Sequence, residues 1–592
     1  MTFTGWLTIV VFVVVLTALA WPLGRYMAAV YTGEHTFMDR ILRRPERWLY
    51  RILRVDATRG QDWKAYAKSL IIFSLAGWLL LYVILRTQGL WSFTGLNPEG
   101  FHSAPWNVTF NTTSSFLTNT NWQYYGGETT MSYFSQMAGL TVQNFASAAV
   151  GIVVAVALVR GLVSRSGKSI GNFWQDLIRT VLYLLLPLSI IIGIVLVSQG
   201  SIQTFEAYLT VHGVSGLTQT IATGPVASQE AIKLLGTNGG GFFNVNSAHP
   251  FENPNGFTNL VEMLAVLLIP AAMVFMYGRM VGKPRQGYAI FATMMVMFLG
   301  AAVVAYVAEA HGSPAQHAAG LHTGVIAGSS GGNLEGKEQR FGIAGSALFN
   351  VVTTVTSCGA VNSALESFTG IGGAVPFANL SASEVIFGGV GTGLYSILLY
   401  VLLAVFLGGL MVGRTPEYLG KKIEAREIKL VSLGILITPL AALFATALAT
   451  ASAAGRASID TAVAGHGPQG FSETFYAYLS QANNNGSAFA DYTGLIQPNA
   501  GNLGSHGITF ADLLGGFEMM FARYAPMLFA LAVAGSLAGK RVSPAGLGTM
   551  RTDNATFVVL LIGVIVLVGA LTFFPALLLG PIVQGLTGHL YS

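Results

Sequence analysis

Residues 236–241 read Gly236-Thr237-Asn238-Gly239-Gly240-Gly241, a polar, glycine-dense run inside an otherwise apolar chain. Three more clusters of this character occur: Thr118-Asn119-Thr120-Asn121-Trp122-Gln123, Thr356-Ser357-Cys358-Gly359-Ala360-Val361-Asn362 and Asn483-Asn484-Asn485-Gly486-Ser487-Ala488. With Asn121, Gly239, Gly359 and Gly486 taken as equivalent, the spacings are 118, 120 and 127 residues, which defines an internal repeat. Repeats three and four also agree downstream: Asn362-Ser363-Ala364 with Glu366 and Thr369-Gly370 stands against Gly486-Ser487-Ala488 with Asp491 and Thr493-Gly494. Each cluster follows a moderately apolar stretch too short to cross a bilayer, which needs about 20 residues.

Around the clusters lies a membrane-protein composition. Of 592 residues, 53% are hydrophobic and 10% charged, against about 25% charged in soluble domains. So few charges cannot cover a soluble surface of this size. The net charge of +5 does not indicate nucleic acid, because the positive residues flank apolar spans. One cysteine, Cys358, allows no internal disulfide. Ten stretches have spanning length: 3–24, 66–87, 141–163, 177–199, 259–281, 287–309, 385–411, 428–451, 514–538 and 555–579. The first resembles a signal peptide at Ala18-Leu19-Ala20, but it lacks a positive leading segment and is long enough to span, so it reads as a retained helix.

Lysine and arginine set the orientation. Of 31 such residues, 25 fall in the connections 25–68, 160–179, 279–285, 414–429 and 540–551. Positive loops stay cytoplasmic, so both termini are expected outside. The outward connections, 88–140, 200–258, 310–384 and 452–513, are long and contain the four clusters. Long connections of this kind are usually functional. The expected fold is an all-α membrane protein. Its units 66–163, 177–281, 287–411 and 428–538 each run span, half-helix, polar cluster, span. Segments 1–65 and 555–592 flank them. Each unit returns the chain to its starting side, so four units share one orientation and can ring an axis along the membrane normal.

Such loops suit cations. Non-helical backbone at membrane depth is tolerated where it lines a wet cavity. A half-helix turns its negative C-terminal end to the axis, and the following backbone offers carbonyls in place of a hydration shell. Glycine permits positive φ, and asparagine is the next most tolerant residue, so Asn121 can replace it. Gln123 and the Thr and Ser hydroxyls offer further oxygens. The clusters hold no carboxylate, which a divalent site would normally recruit; the expected ion is monovalent.

The clusters resemble those of the potassium-binding subunit of Kdp-type potassium-transporting ATPases, especially Gly236 to Asn244 and Asn483 to Phe489. So do His249-Pro250-Phe251-Glu252-Asn253-Pro254, Arg414-Thr415-Pro416-Glu417-Tyr418-Leu419-Gly420 and Leu571-Thr572-Phe573-Phe574-Pro575-Ala576, and the likeness covers essentially the whole chain. The resemblance implies a fold like that of potassium channels and Trk/Ktr-type transporters. It implies a prokaryotic inner-membrane complex with a P-type ATPase subunit, a small single-span C subunit and a short accessory peptide. Potassium is then the transported ion, entering from outside and leaving sideways toward the ATPase subunit. Carried over by position, the filter comprises Asn119, Thr120, Asn121 and Gln123; Thr237, Asn238, Gly239 and Gly240; Ser357, Cys358 and Gly359; and Asn484, Asn485, Gly486 and Ser487. The family's basic residue beneath the filter falls on Arg523. The region 490–512 is longer than the family pattern suggests and receives no role.

Arg523 lies within the ninth span, where a charge is costly and marks function by default; the bland alternative is a structural pair with Glu518 or Asp512. Cys358 reads as a small filler beside Gly359 instead of a reactive thiol. His311, His317 and His322 match no zinc spacing. The run from Gly161 to Ser169 has five residues between its glycines where a phosphate loop needs four. No Asp-Lys-Thr-Gly sequence occurs, so this chain shows no nucleotide-handling or catalytic motif. The basic stretch Arg414, Lys421, Lys422, Arg426 and Lys429 follows from topology, with contact to the ATPase subunit (Arg414) or anionic lipid as a second role. A stand-alone potassium channel or Trk-like transporter is the alternative reading. A secondary permease for an organic solute would show midplane substrate side chains on broken helices instead of four filters.

Overall fold

Ten helices long and apolar enough to cross a bilayer occur among the described residues of the computed structural model: Phe3–Thr32, Trp63–Arg86, Ser135–Val163, Phe173–Ser198, Gly256–Met280, Pro284–His311, Thr392–Met411, Ala425–Ala451, Phe510–Ala538 and Ala555–Ile582. All residues are described except 166, 327–330, 464, 466, 490, 491, 493–505, 545–548 and 584–592. Most of the expected long loop 490–512, and the end of the segment 555–592, therefore lie outside the described residues.

Each span coincides with an expected stretch, and the differences have local causes. The first span runs on through Pro22 to Thr32, and Gly33, with φ of 80°, ends the helix. At its start the Thr2 hydroxyl accepts the Gly5 N–H. The seventh stretch, expected as one helix over 385–411, is broken. A helix Gly370–Ser381 comes first. Residues 382–391 then include positive φ at Ser383, Glu384, Phe387, Gly388 and Gly391, and the span itself starts at Thr392. Hydropathy registers apolar residues but not the dihedral freedom of a glycine run, so it took the non-helical residues 385–391 into the span.

The third and fifth spans form the centre, with 83% and 78% of their apolar windows buried, whereas the first and tenth bury 28% and stand at the edge. Lipid gives no hydrophobic drive for helix association, so close approach matters. A Cβ on Gly161 of the third span would lie 2.6 Å from the carbonyl oxygen of Ala534 in the ninth. At the same end, the Arg160 guanidinium grips both oxygens of buried Asp176 (2.6 and 2.9 Å) and donates to the Tyr31 carbonyl. Tyr66 donates to Asp176 as well, so one carboxylate joins the first four spans. Lys421, on the two-residue hairpin Glu417–Tyr418/Lys421–Lys422, donates to the carbonyls of Gly161 and Leu537 and so satisfies the ends of two spans. An amphipathic helix, Asp39–Ile52, occupies the first basic connection; its buried Glu46 pairs with Arg179 at 2.7 Å.

Four further helices, Trp106–Leu117, Val226–Leu235, Gly342–Val355 and Gly467–Ala482, sit inside the ring of spans and are largely buried. Each runs directly into one of the four polar clusters. The repeat is thus span, pore helix, cluster, span, taken four times around an axis.

Candidate ion filter

Each pore helix is followed by a residue with left-handed backbone: Asn119 (φ 74°), Thr237 (49°), Ser357 (49°) and Asn484 (52°). Two positions on, Asn121 (55°), Gly359 (89°) and Gly486 (96°) are left-handed again. Gly239 is not, which corrects the expectation that all four equivalent positions serve a positive φ. Its glycine answers to space. A Cβ there would lie 2.6 Å from the Cys358 carbonyl oxygen and 2.7 Å from that of Asn485. A Cβ on Gly359 would overlap Asn485, and one on Gly486 would overlap Thr120. Four segments separated by more than a hundred residues therefore meet backbone to backbone.

Side chains close the ring. Asn119 Nδ2 donates to the carbonyls of Gly236 (3.2 Å) and Thr237 (2.9 Å), and Asn238 Nδ2 returns a bond to Asn119 Oδ1 at 2.7 Å. Cys358 Sγ donates to the Asn238 carbonyl at 3.0 Å. Asn485 Nδ2 donates to the Thr353 carbonyl at 3.0 Å, and Asn484 Nδ2 to Thr120 Oγ1 at 2.8 Å. Repeats one to two, two to three, three to four and four to one are all joined. Gln123, expected as an extra oxygen donor to the ion, has its amide committed to the Gly241 N–H and carbonyl at 3.2 Å each. Ser487 meets the Tyr476 hydroxyl at 2.9 Å. Gly240 lies against Asn121, where a Cβ would be 3.0 Å from its Cβ. Many of the cluster side chains thus brace neighbouring clusters, while the side-chain oxygens of Asn121, Asn238 and Asn483 have no hydrogen-bond partner among the described residues.

A cavity of about 490 Å³ opens above the ring, lined by residues of all four clusters, including Asn121, Gly239, Gly359 and Gly486. Lys337 stands in its wall, with its ammonium 2.8 Å from buried Glu309. Tyr492, the one described residue between 490 and 505, packs edge-on to Trp122 at 5.9 Å. His311 bonds to the Val307 carbonyl of its own helix, and His317 to the His311 carbonyl.

The broken segment 382–391 lies on the other side of the ring. The Val390 N–H donates to Thr237 Oγ1 at 3.0 Å, and the Gly388 N–H to the Val355 carbonyl at 3.0 Å. Just past it, Arg523 Nη1 donates to Thr392 Oγ1 at 2.6 Å. Among the described residues Arg523 forms no salt bridge to Glu518 or Asp512; Asp512 accepts a bond from Asn107 instead. A cavity of about 20 Å³ beside it is lined by Glu384, Thr392, Tyr395, Asn484 and Pro526 among others. Arg414 is exposed. The sequence reading missed the left-handed positions 119, 237, 357 and 484, whose only signal is that they follow a helix end, and it missed the break over 382–391.

Four inward pore helices, four polar clusters closed into one ring and ten spans around them define a multi-pass membrane protein of potassium-channel-like architecture. The description "Potassium-transporting ATPase A subunit" matches residues 10–586, and the chain belongs to that family. A relative from Mesorhizobium japonicum, named potassium-transporting ATPase potassium-binding subunit, is 53% identical over 586 residues, 99% of either chain. A relative of the same name from Rhizobium rhizogenes is 52% identical over 587 residues, again 99% of each. Among solved structures, the potassium transporter TrkH from Vibrio parahaemolyticus aligns with a TM-score of 0.44 at 15% identity, covering 74% of this chain and 83% of that one.

Proposed function

We propose that this chain binds and selects potassium from the outside and passes it to the ATPase subunit of an ATP-driven import complex in a prokaryotic inner membrane. The observation that carries the reading is the four-way closure of the clusters at the C-terminal ends of four pore helices. Those ends favour a cation, and braced carbonyls replace its hydration shell. The units 66–163, 177–281, 287–411 and 428–538 supply one quadrant each. Both termini face outward, by the distribution of arginine and lysine. The chain carries no phosphorylation motif, so ATP is handled by a P-type subunit. A small single-span C subunit and a short accessory peptide complete the assembly, with exposed Arg414 a contact for a partner.

The path below the filter supports a pump subunit over a stand-alone channel or Trk-like transporter. Segment 382–391 crosses under the ring, and Arg523 places a fixed positive charge beside it. That charge repels a cation going straight through and leaves the sideways route toward the ATPase subunit. In the reconstituted complex, Arg523→Ala is expected to lower potassium moved per ATP hydrolysed at least several-fold. Unchanged flux and unchanged coupling would reject this role.

A further inference from the structure

The second repeat carries a brace that the other three lack among the described residues. Lys233, on the pore helix Val226–Leu235, is fully buried with its Nζ at 2.5 Å from Glu230, 3.3 Å from Glu252 and 2.9 Å from Asn246 Oδ1. The two carboxylates are held in turn: Glu230 accepts the Ser247 hydroxyl at 2.7 Å, and Glu252 accepts the Phe243 N–H at 3.0 Å. Asn246 has left-handed backbone (φ 56°), and its Nδ2 donates to the Gly239 carbonyl at 2.8 Å. The loop has no slack here, since a Cβ on Gly241 would lie 2.8 Å from that same Nδ2.

The chemistry fixes which way the Asn246 amide points. A lysine ammonium has three donors and no acceptor, so the atom facing Lys233 must be the amide oxygen. The amide nitrogen then faces Gly239, whose carbonyl can only accept. Lysine, asparagine and carbonyl form a one-way chain of hydrogen bonds in which an aspartate of the same shape would set oxygen against oxygen. Asn121, in the first repeat, is held by the neutral Asn144 at 2.7 Å. Among the described residues, only at Gly239 is a filter carbonyl aimed, through one amide, by a buried charge.

We infer that Asn246, oriented by Lys233, is a positioning residue of the filter: it fixes the direction of the Gly239 carbonyl and thereby contributes to the choice between potassium and sodium. Where selectivity comes from a cavity of fixed size, a carbonyl free to swing can close around the smaller sodium ion, and a pinned one resists this. The inference rests on the filter reading and deepens it.

The test is thallium binding to the purified complex, displaced by potassium or by sodium, for Asn246→Asp, Asn246→Ala and Gly239→Asp. Asn246→Asp keeps the size and the lysine contact but loses the donor. The expected result is a potassium-over-sodium preference at least tenfold lower in both Asn246 variants, with the number of bound thallium ions retained. Asn246→Ala carries the test if the added carboxylate prevents folding. The inference is overturned if the preference is unchanged in either folded Asn246 variant while Gly239→Asp loses it. It is equally overturned if both Asn246 variants lose assembly or binding capacity alone, which marks a structural role. If Gly239→Asp keeps the wild-type preference too, the filter reading itself fails.

Discussion

Gly239 and Gly359 occupy equivalent positions in successive repeats, yet glycine is required for different reasons. Gly359 adopts φ 89°, a region that L side chains rarely enter. Gly239 has no such need but is hemmed in by two carbonyl oxygens. The sequence alone made the two look alike. Asn121 shows the converse, where an asparagine expected to stand in for glycine does so at φ 55°. His249, nearby, yields a pH prediction. Its ring lies flat on Phe243 with centroids 3.6 Å apart. Burial, and then the charge of Arg340, hold its pKa down to about 4, below the usual 6.5. The unfolded chain therefore binds this proton first. The stability is complete above pH 6.5 and declines as pH falls from 6.5 toward 4. The thermal midpoint of wild type should drop more steeply over that window than that of His249→Gln. Equal slopes would contradict the assignment.

At the scale of elements, legibility followed the physics each signal reports. The ten spans were readable because a bilayer demands length and apolarity. The pore helices were readable as short apolar pieces before polar clusters. The break over 382–391 was not, because its cause is backbone dihedrals and not hydropathy. The amphipathic helix Asp39–Ile52 was hidden inside a connection read only for its arginines. Nor could the sequence say that Asp176 and Arg160 join four spans, since Asp176 meets Arg160 and Tyr66 at 16 and 110 residues' separation and Arg160 meets Tyr31 at 129. That junction supports a stability prediction. Removing one member of a buried ion pair strands the other and costs about 3–5 kcal/mol. Arg160→Leu alone is expected to lower the unfolding midpoint in detergent markedly, whereas adding Asp176→Leu recovers part of the loss. A double variant worse than the single one would show that Asp176 works independently of Arg160.

At the scale of the whole molecule, the four-fold plan was written in the spacings of the clusters, and the structure closes it into one ring. What spacing could not supply was the division of labour within the clusters. The amides of Asn119, Asn485 and Gln123 tie one cluster to the next, a role that spacing alone does not reveal. A ring built this way is rigid only as a unit. An added charge at its tightest point therefore disturbs all four quadrants. Thallium or rubidium binding to the purified chain, with potassium and sodium as competitors, tests this most directly on wild type and Gly239→Asp. The account predicts that potassium competes well and sodium poorly in wild type, and that the variant loses this preference. Equal competition by sodium in wild type, or a variant indistinguishable from it, would mean that the ring is not the selective site.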